Sequence, residues 1–456
     1  MRNIIKDAGL ALAVAAAFAL GACGGVGSPA SFTVANSAHG LAPSAGPRSK
    51  GLDQIQHVVI IVQENRSFDN LFQGYPGADT QSYGYASNGQ KVRLQPVGLE
   101  IPWDVDHSSH SYFAACDGQG SFPGTNCKMD GFDKEGTGCI RNCLPHPQYA
   151  YVPHSESKPY FAMAKRYVLA DRMFTSNFDG SSFISHQYII AAQASSAIDY
   201  PATIWGCGGG SVDKIGTVTQ QRGYGPKIST CFDNQTLGDE LDTAKVSWRF
   251  YTADLDGNGG LWSAYQAIDH IRNGPDWSTD VVSPQTKFFN DVQNGALPAV
   301  SWVTPTCQNS DHAGCGSNTG PAWVASLVNA VGRSQYWKST AIFIMWDDYG
   351  GWYDHVPPPL EDYDGLGIRV PMLIISPYAK AHYVSHVQYE HGSILRFIED
   401  RWGLPQLAAS DARATSPAND SFDFTAKPRR FVPIPTPKNE SFFMNQPLDR
   451  REPDSQ

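Results

Sequence analysis

The sequence predicts an α/β fold: a largely parallel central sheet with helices on both faces, and long loops tied by disulfides. Three observations lead there. Apolar runs rich in β-branched residues at 58–62, 299–303, 341–345 and 370–375 read as strands buried on both faces, because no polar alternation leaves a side for water. Helical segments lie between them. Residues 321–331 follow Gly320 with Pro321 in the first turn, and 393–402 stop at Gly403 with Pro405 beyond, the expected punctuation of a helix. Such alternation is the pattern of a parallel sheet. Finally, 43 Gly and 31 Pro accompany 12% aromatic residues, which implies shaped loops on a folded body rather than disorder.

The N-terminus reads as an address. Arg2 and Lys6 precede an apolar or small stretch over 8–22, shorter than the roughly 20 residues of a bilayer span and suited to a signal peptide, residues 1–23. Leu20-Gly21-Ala22-Cys23 resembles a lipobox, in which Cys23 is lipidated and anchors the mature chain; cleavage at a small-residue site with Cys23 incidental is the alternative. The expected location is therefore exported: a cell-envelope lipoprotein, or a periplasmic or secreted protein. Residues 24–51, rich in Gly, Ser, Ala and Pro, read as a flexible tether, 52–426 as a catalytic domain, and 427–456 as an extended Pro-rich segment.

Eight further cysteines remain, an even number in an exported chain. They fall as sequence neighbours in Gly-rich loops, so the expected bridges are Cys116–Cys127, Cys139–Cys143, Cys207–Cys231 and Cys307–Cys315. A structural zinc is disfavoured, since the 139/143 pair alone has suggestive spacing. With 34 Lys+Arg against 44 Asp+Glu the net charge is −10, which opposes a polyanion grip and excludes nucleic acid as the main partner.

Two strands deliver acids at their carboxyl ends. The run 57–63 leads into Glu64-Asn65-Arg66-Ser67-Phe68-Asp69, and 341–346 leads into Asp347-Asp348-Tyr349-Gly350-Gly351. In open α/β sheets that edge binds ligands, and crowded carboxylates favour a cation with oxygen ligands. Spacing alone leaves a second reading, acids that cap helices or face water.

The successive segments Glu64–Asp69, Met129-Asp130-Gly131-Phe132, Asp347 through Pro358, Arg369-Val370-Pro371 with Ser376-Pro377, and Tyr389 through Leu395 resemble, in order, the signatures of the phospholipase C/acid phosphatase phosphoesterase family. The resemblance covers about residues 55–425. It implies an alkaline-phosphatase-like fold in the short form, without the C-terminal β-domains of longer phospholipases C. It also implies a divalent metal, Mg, Mn, Ca or Zn, held by Glu64, Asn65, Ser182, Asp347 and Asp348. Asp348 stands where many relatives have Glu. Ser182 is the implied nucleophile, preferred over Ser181 because relatives carry Gly and then Ser or Thr two positions on; the Pro-Asn that usually follows is here Ile184-Ser185 before His186. No His in this ligand set points to a hard ion rather than zinc.

The chemistry implied is attack of Ser182 on phosphorus, giving a phosphoseryl intermediate that water then releases. A proton donor for the leaving group calls for His. His107 is the first candidate, with His110 its rival, and His355 a further catalytic candidate; His312 and His391 are candidate substrate contacts. Arg66 is expected to pair with Asp69 or another acid beneath the site, or to steer phosphate. Gly350-Gly351 is expected to turn the backbone tightly beside the metal. Trp346, Trp352 and Tyr353 could line an acyl or choline pocket or serve as core. Three functions follow: a phospholipase C acting on membrane phospholipid, a broad acid phosphatase, or a catalytically silent binding protein on this fold.

Overall fold

In this computed structural model, residues 49–201, 205–253 and 261–451 are described. The signal peptide, lipobox Cys23 and nearly all of the tether lie outside them. Eight strands form the central sheet: β1 (His57–Gln63), β2 (Val168–Phe174), β3 (Trp248–Tyr251), β4 (Val281–Val282), β5 (Val300–Val303), β6 (Thr340–Trp346), β7 (Arg369–Ile375) and β8 (Tyr383–Ser385). Their spatial order is β4-β3-β5-β1-β6-β7-β2-β8. All neighbours are parallel except β7, which runs antiparallel to both β6 and β2.

The four apolar runs of the sequence are β1, β5, β6 and β7. Every residue of β6 and β7 is buried, as is all of β1 after His57, so both faces of the sheet's centre are covered. Each such Val or Ile contributes about 1.5–3 kcal/mol of burial. β2 was not foreseen, because Asp171 and Arg172 interrupt Val-Leu-Ala-Asp-Arg-Met-Phe. Asp171 is tolerated in a buried strand because Asp79 N–H donates to it at 2.8 Å and His386 Nδ1 lies 2.9 Å away.

Four helices matter for the site or its support. These are α1 (Phe68–Phe72), α2 (Ser182–Ala191), α3 (Gly320–Arg333) and α4 (His391–Trp402). α3 carries Pro321 in its first turn, and α4 ends on Gly403 in the left-handed region at φ 75°. No helix among the described residues is long and apolar enough to cross a membrane.

All four expected disulfides form: Cys116–Cys127, Cys139–Cys143, Cys207–Cys231 and Cys307–Cys315. Residues 427–451 run against the body. Arg429 Nη2 donates to Ala379 O, Asn329 Nδ2 donates to Ile434 O, and Phe443 meets Trp323 edge-on. Farther on, Asp449 accepts from Gln308 N–H, and Arg451 Nη1 donates to Cys315 O.

Candidate active site

Parallel pairing sets the geometry. Gln63 stands opposite Trp346 in the β1/β6 ladder, so Glu64 and Asp347 leave the sheet side by side. The two antiparallel steps through β7 restore direction, and β2 therefore ends at the same edge, where residues 175–181 lead to α2 and its first residue, Ser182.

The side chains meet there, and Glu64, Asn65, Ser182, Asp347 and Asp348 are all fully buried. Ser182 Oγ–H donates to Asp348 Oδ2 at 3.1 Å. Asn65 Nδ2 reaches Ser182 Oγ at 3.2 Å and Asp348 Oδ2 at 3.2 Å, and its backbone N–H donates to Asp347 Oδ1 at 3.2 Å. Ser181 turns elsewhere, its Oγ–H donating to Asp199 O at 2.6 Å. Asn65 sits at φ 54°, a region Asn enters more readily than most residues. Gly350 allows this crowding: at φ 62° it lies so close that a Cβ would meet Asn65 O at 2.4 Å.

His186 was not foreseen among these residues. One helical turn after Ser182 on α2, its Nε2 lies 2.9 Å from Glu64 Oε1 and 3.7 Å from Asp347 Oδ2. Burial lowers its pKa against the pull of Asp347. The i, i+4 spacing from Ser182 was the available signal. His186 also removes the ground for expecting a site without His, and with it the lean away from zinc.

The donor set suits a divalent ion. Asn65 Oδ1 and Asp347 Oδ2 are buried and make no hydrogen bond, while Glu64, His186 and Asp347 each offer a ligand atom, all within 4.8 Å of one another. Oxygen and imidazole donors accommodate Mg, Mn or Zn.

The candidate histidines separate. His107 belongs to the site: Nδ1 lies 2.6 Å from Val105 O, so it carries the proton, and Nε2 faces Asn65 Nδ2 at 3.0 Å as acceptor. His312 stacks edge-on to His107 at 6.2 Å between ring centroids, and its Nε2 is 3.8 Å from Asp104 Oδ2. His391, the first residue of α4, is buried near Asp347, and burial pushes its pKa down to about 4. His110 is exposed. His355 is held apart, with Nδ1 2.6 Å from Asp69 Oδ2 and Nε2 3.1 Å from Asp79 Oδ1. With both nitrogens engaged by carboxylates, the structure does not bring it to Ser182.

Two open expectations resolve. Of its two acid alternatives Arg66 takes the one other than Asp69: it lies against Asp311, its Nε donating to Asp311 O at 2.8 Å, and its guanidinium lies 4.8 Å from the Trp352 ring centre. Asp69 is taken instead by Arg369, at 3.6 Å. Trp346, Trp352 and Tyr353 are core: Trp346 Nε1–H donates to Asp311 Oδ2, and Tyr353 stacks on Tyr149. The aromatics on the open side are Trp103 and Tyr200. They line a cavity of about 810 Å3 with Asp104, Asp106, Asp199 and His312, and its inner wall adjoins His107.

Residues 55–405 match the Phosphoesterase family. Among similar proteins are "Phospholipase C B" of Mycobacterium tuberculosis, 28% identical over 451 residues, covering 85% of this chain and 81% of that protein. Another is "Non-hemolytic phospholipase C" of Pseudomonas aeruginosa, 26% identical, covering 88% of this chain and 60% of that protein. Among solved structures, a protein in the alkaline phosphatase superfamily from Vibrio parahaemolyticus aligns with a TM-score of 0.40 at 9% identity, covering 82% of this chain and 72% of that one.

Proposed function

The chain belongs to the Phosphoesterase family and is a hydrolase of phosphoric esters, and from that premise we propose that it is a metal-dependent enzyme of phospholipase C type with Ser182 as nucleophile. One observation carries the reading. Ser182 Oγ lies within the buried group of Glu64, Asn65, Asp347 and Asp348, beside His107, and that group adjoins an 810 Å3 cavity wide enough for a diester's two substituents.

Glu64, Asn65, Asp347, Asp348 and His186 would hold the ion. When bound, it supplies charge neutralisation at the phosphoryl oxygens and a lowered hydroxyl pKa. The residues do the rest. Asp348 holds the Ser182 proton, leaving an Oγ lone pair for phosphorus. The new Oγ–P bond forms as the bond from phosphorus to the glycerol oxygen breaks; that oxygen takes a proton from His107, whose Nε2 is charged beforehand by a proton from solvent, while the proton on Asp348 returns to Ser182 Oγ when the phosphoserine is cleaved. Water then attacks the phosphoserine on phosphorus, freeing Ser182 and the phosphorylated head group. Asn65 Nδ2 orients Oγ throughout.

The test compares p-nitrophenylphosphorylcholine with p-nitrophenyl phosphate across pH, each with and without chelator. Chelator-sensitive release from the diester, with little from the monoester, is expected. The opposite preference makes the protein an acid phosphatase. Silence on both after adding back Mg, Mn, Ca and Zn in turn sinks the proposed site.

A further inference from the structure

The rim of the cavity continues into an exposed loop that the chemistry leaves unused. Thr137 and Gly138 line the cavity, and the next residues, Cys139-Ile140-Arg141-Asn142-Cys143-Leu144, are closed on themselves by the Cys139–Cys143 bridge. Ile140 is 91% exposed and Leu144 37%. A lone exposed apolar residue is ordinary and means nothing by itself. Here three further features coincide.

First, the loop is fixed to the cavity wall. Asp106 N–H donates to Gly136 O at 2.9 Å, Gly138 N–H donates to Asp104 O at 2.8 Å, and Cys139 N–H donates to Thr137 Oγ1 at 3.2 Å. The tip and the mouth therefore move together. Second, in a chain of net charge −10, residues 136–155 themselves contain no Asp or Glu; the acids nearby, Asp104 and Asp106, belong to the cavity wall and not to the tip. Arg141 is exposed at the tip and forms no ion pair among the described residues. Third, an exposed ring is linked to another lining residue of the mouth. Tyr224, 63% exposed, lies in the segment closed by Cys207–Cys231, with its hydroxyl 3.4 Å from Ser109 Oγ; Ser109 N–H in turn donates to Asp199, a lining residue.

We propose that this loop is a membrane-docking tip. Ile140 and Leu144 enter the boundary between head groups and acyl chains, and Arg141 engages lipid phosphate. The cavity mouth is thereby set against the phospholipid layer. The occupant is a lipid surface because an apolar tip beside a cation, with no acid within reach in sequence, matches an anionic layer over an apolar interior. An exposed amphipathic ring linked to the mouth suits the same head-group layer. The inference rests on the phospholipase C reading, since a monoesterase of soluble phosphates needs no such contact.

The test uses the full chain with Cys23→Ser, so that no acyl anchor contributes, and with Ser182→Ala, so that vesicles are not consumed. Partition onto phosphatidylcholine vesicles containing phosphatidylserine is compared with and without the pair Ile140→Ser and Leu144→Ser. About a tenfold weaker partition is expected for the pair, from losing part of the burial of two branched side chains. Arg141→Glu should weaken it severalfold, and salt should shrink that difference. In the Ser182-intact chain the tip variants should hydrolyse soluble p-nitrophenylphosphorylcholine at the parental rate. Unchanged partition overturns the docking tip, as does a finding by sedimentation that the substitutions break up a dimer. Loss of vesicle binding is separable from failure of the enzymatic reading: a chain that ignores vesicles yet cleaves the soluble diester sinks only the tip. A chain that binds vesicles through the tip yet cleaves no diester sinks the phospholipase reading on which the tip's purpose rests.

Discussion

The segments after β1 and β6 each supply acids twice, and the two sets have opposite fates. Glu64 and Asp347 meet at the strand ends; Asp69 and Asp354, five and seven residues on, meet one layer away. The second set is neutralised from within. Arg369 Nε lies 3.1 Å from Asp354 Oδ1 and its Nη2 3.6 Å from Asp69 Oδ1, with His355 against Asp69. Burial alone would lower the His355 imidazole, but its hydrogen bond to Asp69 and the charges of Asp69 and Asp354 outweigh that and lift its pKa to about 9. Against Glu64 and Asp347 the structure sets His186, an imidazole whose pKa burial depresses. One set carries its own cations and serves the fold. The other has a buried imidazole against it and lies beside Ser182, the nucleophile proposed above.

The largest effect should come from Ser182→Ala. It removes the proposed nucleophile from beside the Glu64–Asp347 set and should cost about four orders of magnitude in turnover, with melting temperature unchanged. Residual turnover near the parental level would move the chemistry elsewhere. Next is Arg369→Met, which leaves Asp69 and Asp354 buried with one cation fewer; a loss of about 3–5 kcal/mol in denaturant unfolding is expected. A mild effect there would erase the contrast.

Asp347→Asn sharpens it by acting in opposite directions. With chelator present, relief of carboxylate crowding should raise stability by about 1 kcal/mol, whereas calorimetric titration with Mn or Zn should show clearly weaker binding. Equal affinity in parent and variant would remove Asp347 from the ligand set. The last effect depends on pH and fades as pH rises. Because the folded pKa of His355 lies above the ordinary 6.5, its stabilisation is complete below about pH 6.5 and disappears as pH rises through about 9. His355→Gln should therefore cost roughly 2 kcal/mol at pH 6, after allowance for partial exposure, and much less at pH 10. Melting curves at both values check it, and a gap that widens with pH contradicts the pairing.

Much of this contrast was legible in the sequence only on one side. Glu64 and Asp347 follow unbroken apolar runs, so strand, edge and convergence could all be read from local pattern. The disulfides were legible because each pair closes a short loop. The Asp69 network was not, since it needs Asp79, Arg369 and His355 from three separate segments, and His355 in a family-like motif reads as chemistry until its two carboxylate partners are seen. His186 was hidden for another reason: the departure from Pro-Asn drew attention to what was missing rather than to the helical turn that carries it back over Glu64. Nor could the apolar run of β7 reveal that it runs against its neighbours, because burial pattern is blind to strand direction.

The Cys307–Cys315 bridge closes the loop that brings His312, Ala313 and Gly314 to the cavity wall, and residues 446–451 then tie that loop down through Asn309, Gln308 and Cys315. Seen as a matter of timing, the wall is finished by oxidation as well as by folding. While its thiols stay reduced the chain lacks a covalent brace beside this cavity, so the wall is completed only once those cysteines are oxidised.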